Sequence, residues 1–278
     1  MNGFRDKSAI VTGAASGIGL ALSRALVARG ARVWLTDIDS EAASSAAEAL
    51  GTSARSLPLD VRDADAFAKI VHDVAAERDG LDFLFNNAGI VGAPGETHEL
   101  SAGHFDRVSD INIRGVTNGV VAAYPLMVER GRGHIVNTAS SAGLLPVPLM
   151  VPYAMSKHAV VGLSESLRLE AETHGVRVSV LCPSAIDTPL LDSEGPEDLE
   201  RPWRPDVRQY LTQLAGAPYP SDAFAEYALD CVAANRGIIV APRSTRIARF
   251  LSRLAPRLAE QRIRTVLRIQ LDSRPTRG

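Results

Sequence analysis

Short apolar segments alternate with longer stretches of helical periodicity along most of this 278-residue chain, and that alternation restricts the fold more than any other feature. The pattern predicts strands near 8–12, 31–36, 55–59, 81–86, 133–138, 176–182 and 237–241. Helices are expected near 17–29, 40–50, 63–79, 101–129, 152–174 and 221–234. Strand followed by helix, repeated, buries its apolar faces as a parallel sheet with helices on both sides, an α/β doubly wound arrangement of about seven strands. At 46% hydrophobic content the chain can fill one large core, and its length does not demand two.

Four places in that alternation carry chemistry. The first strand, Ser8-Ala9-Ile10-Val11-Thr12, runs into Gly13-Ala14-Ala15-Ser16-Gly17-Ile18-Gly19 and then a helical run. Strand, Gly-rich turn and helix make a cradle for a dinucleotide pyrophosphate, because glycine lets backbone approach the anion and the helix start offers unpaired N–H groups. The second strand ends in Asp37, 18 residues after Gly19. An acid there accepts hydrogen bonds from ribose hydroxyls and repels a 2′-phosphate, which favours NAD over NADP. The alternative for Asp37 is a turn or helix cap, a role that Asp39 could also fill. The fourth strand closes with Asn86-Asn87-Ala88-Gly89, at the carboxyl edge where open sheets bind ligands. Tyr153 and Lys157 stand i, i+4 on a helix that starts near Pro152, so they share one face. An ammonium beside a phenol favours the phenolate and is expected to pull the Tyr153 pKa below its usual value of about 10, toward acid–base work near neutrality.

These motifs, in this order, resemble the short-chain dehydrogenase/reductase superfamily in its compact, single-domain, NAD-preferring branch, over roughly residues 6–242. The resemblance implies a Rossmann-type catalytic domain over 1–242, with a substrate lid at about 189–220, where Gly and Pro break the alternation. Residues 243–278 form a basic helical extension outside it. The resemblance also implies a tetrad of Asn112, Ser140, Tyr153 and Lys157, with Asn112 anchoring a water relay to the lysine. Of the adjacent serines, Ser140 is the one thirteen residues before Tyr153. Cofactor contacts are implied for Gly13, Ser16, Gly17, Ile18 and Gly19 in the turn, for Asp37 on the ribose, and for Asp60 and Val61 near the adenine. Asn87, Gly89, Tyr153 and Lys157 follow, with Pro183, Ile186 and Thr188 around the nicotinamide. The usual Pro-Gly after the sixth strand is Pro183-Ser184 here, which leaves the local backbone shape open.

The activity so implied is hydride transfer between NAD(H) and a secondary alcohol or ketone. Tyr153 acts as general base and Ser140 as hydrogen-bond donor to the substrate oxygen. The expected pocket is apolar, formed by Ser140, Tyr153, Leu144, Leu145, Leu190, Leu191 and Trp203, with Val91, Val147 and Leu149 nearby. It suits a hydrophobic alcohol better than a sugar. An NADPH-dependent reductase is the alternative, opposed by Ile38 and Asp39 where a basic residue would be needed. An inactive NAD-binding sensor is disfavoured because all four tetrad residues are present.

Composition excludes other classes. A net charge of −2 makes no case for nucleic acid, and no Cys/His cluster suggests a metal. Cys182 and Cys231 are isolated, which fits a reducing, cytoplasmic setting. Ten Arg against only Glu260 and Asp272 leave residues 243–278 at +8, and the remainder therefore at −10. Ile247, Phe250, Leu251, Leu254 and Leu258 recur there at helical spacing, interrupted by Pro256, and Ile263, Val266, Leu267 and Leu271 continue the stripe. Packing on the acidic body, or on a neighbouring subunit of a homodimer or homotetramer, is expected rather than membrane association.

Overall fold

A computed structural model describes residues 3–193 and 203–274. In chain order the elements are β1 (Ser8–Thr12), α1 (Gly17–Ala28), β2 (Arg32–Asp37), α2 (Ser40–Leu50), β3 (Ala54–Pro58), α3 (Ala64–Glu77) and β4 (Phe83–Asn86). There follow α4 (Ala102–Ser109), α5 (Gly115–Glu129), β5 (Gly133–Thr138), α6 (Val151–Glu172), β6 (Val176–Pro183) and the short β7 (Ile186–Asp187). The chain continues through α7 (Val207–Ala215), the short β8 (Tyr219–Pro220), α8 (Ser221–Ala233), β9 (Ile238–Ala241), α9 (Arg243–Leu254) and α10 (Pro256–Asp272).

Seven parallel strands form one sheet in the order β3-β2-β1-β4-β5-β6-β9. Period-two alternation sends Val11, Leu35 and Phe85 to one face, against Leu22 and Leu26 of α1 and Phe224 and Leu229 of α8. Ile10, Trp34 and Leu84 go to the other, against Phe67 and Val71 of α3 and Ala123 and Met127 of α5. Each such side chain contributes about 1.5–3 kcal/mol when fully buried. Both faces being covered explains why the strands read as near-continuous apolar runs. β1 pairs with both β2 and β4, so the strand order reverses at β1 and opens a crevice beyond its carboxyl end. The doubly wound α/β sheet expected from the alternation is therefore the fold, and every strand expected is found within two residues.

Three segments differ from the sequence pattern. The helix expected over 101–129 is interrupted by a π-helical turn, Asp110–Arg114, which swings Asn112 inward until it is fully buried. Between β7 and β8, whose pairing closes the base of the excursion, the chain makes helix α7. Asp206 caps it by accepting from Gln209 N at 2.8 Å, a local signal hidden among prolines. The segment expected as a lid, 189–220, thus has a helical core, and its residues 194–202 lie outside the described residues.

The C-terminal stripe divides at Pro256, the first residue of α10. α10 buries Val266 and Gln270 and packs against α7, and Arg274 pairs with both Glu96 and Glu99 at 2.5 Å. Within the extension, then, α10 packs on the body, whereas the apolar residues of α9 stay exposed.

Candidate active site

The turn after β1 is locked from three sides. Gly13 and Gly17 have φ of +63° and +53°, open to glycine without strain. Asn87 Nδ2 donates to Thr12 O at 3.0 Å and to Gly13 O at 3.3 Å, tying the turn to the end of β4. A methyl group on Gly19 would lie 2.1 Å from Gly13 O, so Gly19 lets α1 start flush against the turn. Ser16 precedes α1 but its side chain makes no cap, and the first turn of α1 carries no acid. The helix start therefore presents unneutralised N–H groups, a seat for an anion.

Two carboxylates flank this seat. Asp37 Oδ2 accepts from Ala15 N at 3.0 Å and Oδ1 from Asp39 N at 3.1 Å, so the turn itself orients the acid. The cap of α2 is Asp39, which accepts from Ala42 N, and Asp37 is left to face the cavity. Asp60 is gripped by Arg62 through the guanidinium and the backbone N–H. The side-chain bonds from Arg62 hold its carboxyl below the usual range. Arg62, which no motif marks but which directly follows Asp60-Val61, lines the same cavity. Its charge is matched by Asp60.

Beyond β5 and at the start of α6 three groups converge. The Ser140 hydroxyl favours the ionised Tyr153 phenol and acts to lower its pKa. It also accepts from Ala142 N at 3.1 Å and lies 3.4 Å from Pro183 O. Lys157 Nζ sits 5.6 Å from the Tyr153 ring centroid and donates to Thr138 O at 2.9 Å. All three are nearly buried, at 8%, 8% and 3% exposure for Ser140, Tyr153 and Lys157.

Burial corrects the electrostatic expectation. Desolvation raises the Tyr153 phenol above its ordinary value, opposed by the Ser140 hydroxyl. Desolvation also pulls Lys157 down to about 8. The sequence pattern makes the lysine depress the phenol; in the fold the cost of burying either charge sets the direction of both shifts. Behind them Cys182 is fully buried and pushed up to about 12, an inert core thiol.

Asn112 lies one layer deeper and does not line the cavity. Its Oδ1 accepts from Ile90 N, and its Nδ2 donates to Ile90 O and to Ser156 Oγ. A methyl group on Gly89 would stand 3.1 Å from Asn112 Oδ1 and 3.3 Å from Lys157 Nζ, so glycine keeps these two groups close.

One cavity of about 900 Å³ joins the turn to the Ser140–Tyr153–Lys157 group. That is at the upper end of ligand cavities, which span roughly 300–1,000 Å³. Among expected cofactor contacts, Gly13, Ser16, Gly17, Ile18, Asp37 and Asp60 line it. So do Val61, Asn87, Gly89, Pro183, Ile186 and Thr188. Gly19 does not, because it is packed beneath the turn. Ser184 is not among the positive-φ residues, so serine in place of glycine costs no strain. A dinucleotide fits these residues: a glycine cradle at a helix start, an acid on the cavity wall beside it, and an apolar end with convergent polar groups.

Of the expected pocket residues, Ser140, Leu145, Tyr153, Leu190 and Leu191 line the cavity, as do Val91 and Val147. Leu144 does not: it turns the other way, into the cluster of Val160 and Val161. Leu149 is buried away from the cavity as well. Trp203 also misses it, lying instead under the Arg274 guanidinium at 5.5 Å. In their place the far wall comes from the C-terminal helices, through Ala248, Leu251, Leu258 and Ile263. Helical periodicity marks three of these as an apolar stripe without indicating where it would lie.

Comparison with known proteins agrees with this geometry. The family model described as short chain dehydrogenase matches residues 7–198. The (+)-cis,cis-nepetalactol synthase of Nepeta racemosa is 37% identical over 232 residues, covering 81% of this chain and 84% of that one. The 2,5-dichloro-2,5-cyclohexadiene-1,4-diol dehydrogenase of Sphingobium indicum is 40% identical over 192 residues, 69% of this chain and 77% of its own. A short-chain dehydrogenase/reductase of Burkholderia phymatum, crystallised with NAD, superposes with a TM-score of 0.82 at 31% identity. It covers 92% of this chain and 95% of its own.

Proposed function

The chain belongs to the short-chain dehydrogenase/reductase family of oxidoreductases, and from that premise we propose that it interconverts a hydrophobic secondary alcohol and its ketone with NAD(H). The observation that carries this reading is the meeting of Ser140, Tyr153 and Lys157 on one wall of a cavity that also holds the glycine turn. NAD, when bound, supplies the hydride acceptor and a positive ring charge.

The chain's own groups handle the proton and the geometry. Tyr153 takes the proton of the substrate hydroxyl, and Ser140 donates a hydrogen bond to the same oxygen as it gains carbonyl character. Lys157 remains mostly charged below its pKa of about 8 and holds positive potential beside the phenol. Thr138 O fixes one of its three N–H directions. Asn112, braced on Ile90, holds the Gly89–Ile90 segment beyond β4 at its distance from Lys157. Leu145, Val147, Leu190 and Leu191 exclude water from the reacting carbon and favour an apolar substrate. Asp37 at the end of β2 supports NAD over NADP as the carrier.

One relative is a synthase by name, so non-redox chemistry is the competing class. The intact Ser140–Tyr153–Lys157 arrangement favours hydride transfer. The test is a panel of apolar secondary alcohols with NAD, comparing wild type with Tyr153→Phe. Wild type should generate NADH, and the variant should lose about 10²–10⁴-fold in kcat while binding NAD unchanged. A variant retaining more than about a tenth of wild-type kcat would sink the role of Tyr153.

A further inference from the structure

Helix α9 is mounted with its apolar side outward. At about 100° per residue, Ile247, Phe250, Leu251 and Leu254 fall in one stripe, while Thr245, Arg249 and Ser252 fall opposite. The structure turns the polar side to the body: Thr245 is 6% exposed, and Arg246 donates to Val240 O and stacks on the Tyr227 ring. The apolar side faces solvent, with Ile247 at 61%, Phe250 at 63%, Leu251 at 53% and Leu254 at 67% exposure. Leu258, just past the Pro256 break, is 67% exposed too. A surface helix normally buries this stripe, so its presentation needs a partner.

Charge and position say which partner. Residues 243–259 hold five Arg and no acid. Arg253 flanks the stripe on the Phe250 side, Arg243 falls within it ahead of Ile247, and Arg257 follows just past the Pro256 break. An isologous contact with a second copy would bring these like charges together. An anionic bilayer surface satisfies both features, apolar side chains entering the acyl boundary while Arg meets lipid headgroups. Leu251 and Leu258 belong both to the exposed stripe and to the cavity wall, so the surface and the cavity are continuous. α10, by contrast, is tied inward through Gln270 to Gln213 and Arg274 to Glu96 and Glu99. We propose that α9 and the first turn of α10 form a docking face for an anionic lipid surface, with Leu251 and Leu258 as the passage by which a lipophilic ligand enters the cavity. No described helix is long and apolar enough to cross a membrane, so the contact is one of lying on the surface.

Sedimentation of the full chain with vesicles of phosphatidylcholine plus phosphatidylglycerol, and with phosphatidylcholine alone, tests docking. Light scattering without lipid runs alongside. The wild-type chain should pellet with the anionic vesicles and much less with the neutral ones. Phe250→Glu combined with Leu254→Glu should lower partitioning at least about tenfold without changing the melting temperature, since neither side chain is packed. Arg253→Gln with Arg257→Gln should lower it by about fivefold per charge at low salt. Three results would overturn the proposal: wild type that does not prefer anionic vesicles, a Phe250/Leu254 variant that pellets like wild type, or one whose melting temperature falls. A lipid-free dimer dissolved by that same variant would assign the face to a second copy instead.

Discussion

Replacing Gly19 by alanine puts a methyl group 2.1 Å from Gly13 O and 2.7 Å from Asn87 Nδ2. Carbon contacts settle near about 3.5–4.0 Å, so more than ~1 Å must be made up. Neither neighbour can yield alone. Gly13 is pinned in a left-handed turn whose own Cβ position is 2.7 Å from Ala88 Cα. Asn87 is held by its bonds to Thr12 O and Gly13 O. The turn and α1 must therefore separate, at an overpacking cost of ~1–3 kcal/mol. Loosening the Asn87 bonds adds about 0.5–1.5 kcal/mol each. A total of ~2–6 kcal/mol lowers the melting temperature by roughly 4–12 °C, at about 2 °C per kcal/mol in a chain of this size. The N–H groups at the start of α1 also leave their common aim, so NAD binding should weaken at least about tenfold, the equivalent of one ~1.4 kcal/mol step. Differential scanning fluorimetry and calorimetric titration with NAD read both effects. Gly162→Ala is the control: Gly162 lies within α6 with no heavy atom near its Cβ position, and alanine there should stabilise by ~0.5–1 kcal/mol. A Gly19→Ala protein that melts with wild type and binds NAD equally would refute the locked turn.

Asp37→Asn keeps an oxygen to accept from Ala15 N or Asp39 N but removes the charge, so the ratio of kcat/KM for NAD over NADP should fall about tenfold or more; a wild-type preference for NADP would contradict the reading from the start. His134 is buried against Ser179, and burial lowers it to about 3. It stays neutral in the fold while the unfolded chain protonates below about 6.5, so stability falls by up to about 1.4 kcal/mol per pH unit as pH drops from about 6.5 toward 3. His134→Gln should flatten that slope in urea titrations, and parallel slopes would exclude His134 as the source. Lys157→Met removes a charge whose burial lowers its pKa from 10.5 to about 8, a cost fully present below about pH 8. The variant should be inactive yet no less stable than wild type at neutral pH, and a large loss of stability there would show that the bond to Thr138 O outweighs desolvation.

Features that act over short range are legible in the order of residues alone. Strand and helix periods, the glycines after β1, the acid closing β2 and the i, i+4 step from Tyr153 to Lys157 depend on neighbours within a turn or two. They therefore specified the doubly wound sheet and the residues that line the cavity around the glycine turn. Other features depend on contacts between elements far apart in the chain. Leu144 and Leu145 are adjacent and equally apolar, yet the packing of α6 sends one into the core and the other into the cavity. A π-helical turn invisible to a 3.6-residue pattern sets Asn112 on Ile90 rather than on the cavity wall. The direction of the Tyr153 shift follows from how completely α6, β5 and β6 exclude water, which no spacing reveals. The stripe on α9 was legible as a stripe, but its outward face was not. Residue spacing says that one side of a helix is apolar, and only the contacts of the folded chain say which side meets the body.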